Sequence, residues 1–86
     1  MLLIPVRQRL AARFLAMRRH YISSSVIRWY AFDADTGALE LEFVSGHVYR
    51  YSGVPAKTLE ALETARSKGQ FFDANIRERF KTERLR

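Results

Sequence analysis

Six arginines, Arg7, Arg9, Arg13, Arg18, Arg19 and Arg28, fall within the first 32 residues, with no Asp or Glu among them. Guanidinium groups are planar, forked donors that match phosphate geometry, so such a segment can neutralise several phosphates of a nucleic acid with a steep dependence on salt. The same pattern also describes a solvated helix face in a chain that uses Arg over Lys by 12 to 3. Further along, Tyr49 and Tyr51 flank Arg50, and Trp29 and Tyr30 follow Arg28. Aromatic rings interleaved with cations are the stacking platforms of single-stranded nucleic-acid binders. The candidate nucleic-acid-binding residues are therefore Arg7, Arg9, Arg13, Arg18, Arg19, Arg28, Arg50, Trp29, Tyr30, Tyr49 and Tyr51. A competing reading makes Tyr49 and Tyr51 core-edge tyrosines whose hydroxyls bond at the margin.

Catalysis requires a nucleophile with a base, a metal set, or a paired acid and base. His20 and His47 have no second ligand at metal spacing, and the Ser23-Ser24-Ser25 run lies in no motif that activates a serine. Asp33-Ala-Asp35-Thr-Gly37 begins like a calcium loop but has Gly37 where the next ligand belongs, so it reads as a turn. No catalytic residue, metal site or cofactor is expected.

These residues must be positioned by a small fold. The chain has 86 residues, 48% of them hydrophobic, and no cysteine, which fits one globular domain without disulfides or a thiolate zinc site. The net charge of +6 is localised, because residues 33–86 carry nine cations against nine acids. A basic segment is thus attached to a neutral domain. The apolar start is broken at Arg7, too short for a secretory segment or a membrane span, so a cytoplasmic location is expected. An acid-free, Arg-rich start is also the composition of a mitochondrial transit peptide.

Val6, Leu10, Phe14, Met17 and Tyr21 recur at helical spacing, which predicts a basic amphipathic helix or extension over residues 1–22. Residues 26–32 are β-branched and aromatic and end at the Asp33–Gly37 turn, predicting a first strand with Ile27, Trp29 and Ala31 on one face and Arg28, Tyr30 and Phe32 on the other. Leu39, Leu41 and Phe43 alternate with Glu40 and Glu42 in a second strand, and residues 47–52 make a third. An odd hairpin loop with Gly46 left-handed puts Leu41, Phe43, Tyr49 and Tyr51 on one face and sets Arg50 beside the glutamates. Residues 55–68 are predicted helical and stopped by Gly69, and a second helix carries Phe72, Ile76 and Phe80, with Arg77, Arg79 and Lys81 around them. The expected fold is α+β: a three-stranded antiparallel meander followed by two helices (βββαα), preceded by the N-terminal helix. The helices should cover the face that carries Leu39, Leu41 and Phe43. If Ile27 and Trp29 join that core, Arg28, Tyr30 and Phe32 lie on the open face with Glu40, Glu42 and Arg50, either as a binding patch or beneath Leu10, Phe14 and Met17.

Ser24-Ser25, Ile27, Phe32-Asp33, Leu39-Glu-Leu-Glu-Phe43, Gly46, Tyr49-Arg-Tyr51, Val54-Pro55, Ser67-Lys-Gly69, Phe72 and Asn75-Ile76 together resemble the KTSC domain family. That family is named for the C-terminal domain of some lysyl-tRNA synthetases and also occurs as small bacterial and phage proteins. The resemblance spans Ser24 to Phe80, centres on the Tyr-x-Tyr motif, and implies RNA binding through its attachment to a synthetase. The expected organisation is an N-terminal segment over 1–22, a KTSC-like domain over 23–80 and a charged tail over 81–86. The expected function is a small non-catalytic module that binds RNA or another nucleic acid. The alternative is a protein-interaction or self-associating module with its N-terminal helix packed on a sheet.

Overall fold

A computed structural model describes residues 3–86. Helix α1 (Val6–Leu15) leads into five strands and two further helices: β1 (His20–Tyr21), β2 (Ile27–Asp33), β3 (Ala38–Phe43), β4 (Val48–Ser52), α2 (Ala56–Thr64), α3 (Lys68–Asn75) and β5 (Lys81–Arg84). The strands form one antiparallel sheet in the order β1-β2-β3-β4-β5. Among the described residues, no helix is long and apolar enough to cross a membrane.

The expected three-stranded sheet is therefore corrected to five strands. The added strands, β1 and β5, are the two edges, and both are exposed along their whole length. Neither has an apolar alternation because each is held through the backbone ladder, with His20 opposite Tyr30 and Arg50 opposite Glu83. The last residues thus extend the sheet, and the amide of Val48 donates to the carbonyl of Arg86 at 2.9 Å.

The central hairpin follows the parity that its residues impose. Gly46 takes φ +95° in a three-residue loop closed by the Phe43 amide on His47 O, which pairs Leu41 with Tyr49 and Glu40 with Arg50. Leu39, Leu41, Tyr51, Val54, Leu62, Phe72 and Ile76 then make one apolar core under α2 and α3. We call this the helical face.

Strand β2 departs from simple alternation. A bulge at Arg28 separates Ile27, opposite Phe43, from Trp29, opposite Glu42, so Ile27 and Trp29 point to different faces. Ile27, Tyr30 and Phe32 consequently join the helical face, while Trp29 and Ala31 share the other with Val48. The expected patch of Arg28, Tyr30 and Phe32 is corrected accordingly. One extra residue reverses the parity of everything before it.

The helices also begin and end differently from expectation. α2 stops at Thr64 because Ala65 is extended, and Ser67 then caps α3 by accepting from the Gln70 amide at 3.2 Å. Gly69 is the second residue of α3, and a Cβ there would lie 2.9 Å from Val26 Cγ2. Gly37, at φ +74°, closes the β2–β3 turn on Asp33 O and accepts from the Val54 amide at 2.9 Å, tying that turn to the start of α2.

Candidate functional site

The face opposite α2 and α3 is charged. Glu40 and Glu42 are buried in β3, and each is answered by arginine. Arg50 donates to Glu40 at 2.8 Å and to Glu83 at 3.1 Å, fastening β3, β4 and β5 side by side. Glu42 takes Arg28 at 3.3 Å and is also bonded by Arg86. Two arginines far apart in the sequence thus converge on one carboxylate.

α1 lies across this charged face. Its Arg13 forks onto Asp33, with Nη2 2.8 Å from Oδ1, and also bonds Asp35. The paired guanidinium holds the Asp33 carboxyl down at about 2, helped by the Thr36 hydroxyl. Phe14 packs beneath Arg50, whose guanidinium carbon is 4.2 Å from the ring centroid. Met17 packs on Trp29, Ala31 and Val48. Leu10, by contrast, remains exposed, as do Leu3, Ile4, Val6 and Leu15.

This arrangement divides the candidate residues. Arg13, Arg28 and Arg50 are bound to carboxylates, and Arg19 lies over Trp29 at 4.2 Å. Arg7, Arg9 and Arg18 are exposed, with no ion pair among the described residues. Trp29 is buried on the charged face. Tyr30, Tyr49 and Tyr51 lie on the other. The Tyr30 hydroxyl donates to Glu63 at 2.5 Å, and burial together with that carboxylate raises its pKa to about 12. His20 stacks on Tyr30 at 5.0 Å.

Two motif serines, Ser24 and Ser67, have structural partners. Ser24 Oγ accepts from the Val26 and Ile27 amides at 3.2 Å, which steers the chain into β2. Lys68 closes the end of α2 by donating to the carbonyls of Glu63 and Ala65. The entry of β2 meets the start of α3 where Gly69 lies against Val26.

Residue-by-residue reading of the sequence missed a cleft of about 480 Å³ on the helical face, open between β4, β5 and α3. Phe43, Tyr49, Tyr51 and Phe72 give it an apolar wall, and Ser45, His47, Arg77, Glu78 and Thr82 make its rim. Tyr51 is only 4% exposed, and burial raises its hydroxyl pKa to about 12 against a smaller opposing pull from Arg77. The Tyr-x-Tyr motif was the one signal for this site. Phe43, Ser45 and His47 belong to the same hairpin, but Phe72, Arg77, Glu78 and Thr82 come from more than 20 residues away, which no local pattern connects.

Comparison with known proteins places this geometry in context. The KTSC domain family matches residues 23–80. The lysine–tRNA ligase of Nostoc punctiforme is 44% identical over 61 residues, which cover 71% of this chain and 11% of that protein. The chain thus spans about a tenth of the length of the ligases it matches. An uncharacterized protein of Stutzerimonas stutzeri is 40% identical over 57 residues, covering 66% of this chain and 80% of its own. The crystal structure of a KTSC domain protein from Yersinia pestis matches with a TM-score of 0.79 at 37% identity, covering 83% of this chain and all of that one.

Proposed function

Given that the chain belongs to the KTSC domain family, we propose that it is a small non-catalytic module that binds RNA through the phosphate backbone. The observation that carries this reading is the sorting of its arginines. Arg13, Arg28 and Arg50 are bound to Asp33, Asp35, Glu40 and Glu42, whereas Arg7, Arg9 and Arg18 project without an acidic partner among the described residues. Phosphate contacts need such unpaired, hydrated cations. The similarity to lysine–tRNA ligases supports the choice of RNA, since those relatives join this domain to an enzyme named for its tRNA substrate. Ser24 and both histidines make structural contacts. Ser24 holds the entry of β2, His20 stacks on Tyr30, and His47 accepts from Arg84 at 2.9 Å.

Fluorescence anisotropy with a single-stranded RNA tests the proposal. Three phosphate contacts predict a slope of log K on log salt of about −2, at roughly −0.7 per phosphate. Replacing Arg7, Arg9 and Arg18 by Gln should flatten that slope toward zero. Lack of binding at about 50 mM salt, or a slope unchanged in the triple variant, would overturn the reading. A second reading, self-association, has its own support in the exposed Leu3, Ile4, Val6 and Leu15. A dimer in sedimentation velocity together with unaltered RNA affinity in the triple variant would favour it.

A further inference from the structure

We propose that the cleft between β4, β5 and α3 is a separate binding site for a nucleoside monophosphate, a planar heteroaromatic ring joined to an anionic group. The site lies on the sheet face opposite α1, so it does not rest on the RNA reading, and the two can fail independently.

Tyr51 is the central observation. Its ring is buried and lines the cleft, while its hydroxyl, which bonds no other described residue, is open to solvent there. Tyr30 shows what the fold does elsewhere with an equally buried phenol, supplying Glu63 at 2.5 Å. The Tyr51 hydroxyl is not sealed from solvent, so it opens into the cleft, where a ligand acceptor can take the place of water. The phenol is neutral at physiological pH and therefore available as a donor.

The surroundings define the rest of the ligand. Phe43 meets Tyr49 and Phe72 edge-on at 5.8 and 5.2 Å, and Tyr51 meets Phe72 at 5.4 Å. These rings form an aromatic wall suited to a flat heterocycle. Arg77 stands on the rim with one ion pair, to Asp73 a turn away on its own segment at 3.4 Å, where both side chains are largely exposed. Such a pair is weak, and the guanidinium can turn to a phosphate. His47 accepts from Arg84 through Nδ1, which leaves its Nε2–H as a donor. Glu78 accepts, suiting an exocyclic amine or ribose hydroxyl. A nucleoside monophosphate supplies the ring, the anion, the acceptor and the donor together, and the cleft volume of about 480 Å³ suits a ligand of that size.

Titration of the ¹⁵N-labelled full chain tests this, using the four ribonucleoside 5′-monophosphates, the matching nucleosides and inorganic phosphate at about 150 mM salt. At least one monophosphate should shift the amides of Tyr49, Tyr51, Phe72 and Arg77 saturably, with a dissociation constant on the order of 1 mM or tighter. The matching nucleoside and phosphate alone should each bind roughly tenfold more weakly. Tyr51→Phe keeps the ring in the core and should weaken binding about tenfold. Arg77→Gln should abolish the preference for monophosphate over nucleoside, while the Arg7, Arg9 and Arg18 triple variant should bind monophosphates as the parent does. No saturable shift with any monophosphate, equal shifts with phosphate alone, or full affinity in Tyr51→Phe would overturn the site.

Discussion

The two faces of the sheet are held by different forces. On the helical face Leu39, Leu41, Leu62 and Ile76 are fully buried under α2 and α3, and the central contacts are apolar. On the charged face the same strands present Asp33, Glu40 and Glu42, and most of the cover is arginine, with Met17 and with Phe14 of α1, a helix that has no buried residue. Apolar burial is nearly indifferent to salt and mild acid, whereas ion pairs are sensitive to both. The helical face therefore maintains the fold. The charged face holds an attachment whose hold depends on conditions.

The largest expected effect is on the helical face. Ile76→Ala should cost roughly 2–5 kcal/mol of unfolding free energy in urea denaturation, because it opens a cavity under α3. Phe14→Ala removes a half-buried ring and should cost about 1 kcal/mol or less in the same measurement. Equal losses at the two positions would break the contrast between the faces. The smallest effect comes with acid. The folded value of Asp33, about 2, lies below its ordinary 3.8, so its contribution is present above the ordinary value and is lost as pH falls through the folded one. Amide exchange of α1 should accordingly accelerate between about pH 4 and pH 2 relative to its intrinsic rate, while Leu41 and Ile76 stay protected. Simultaneous loss of protection on both faces would show that α1 belongs to the same cooperative unit.

Much of the helical face was legible in the sequence because it obeys local periodicity. The Leu39–Leu41–Phe43 alternation and Gly46 fix the hairpin parity, and Phe72 and Ile76 fall one helical turn apart. The bulge at Arg28 was not legible, since one unpaired residue leaves no trace in composition yet sends Ile27 and Trp29 to opposite faces. β1 and β5 were missed because backbone pairing at an edge does not constrain side-chain type. The arginines were visible as a set, but their division was not. Arg13 meets Asp33 across 20 residues and Arg86 meets Glu42 across 44, distances at which only the folded sheet decides which charges are neutralised.

The two outer strands carry a further consequence. An open sheet exposes unpaired amides and carbonyls along both margins, and a long, flat, apolar margin invites other chains to zip onto it. Here one margin is two residues long, and the other reads Lys81-Thr82-Glu83-Arg84, with three charges in four positions. Neither is a good template for intermolecular β-pairing. A domain blunted in this way can be fused to a much larger protein, or accumulate at high concentration, without its sheet seeding aggregation.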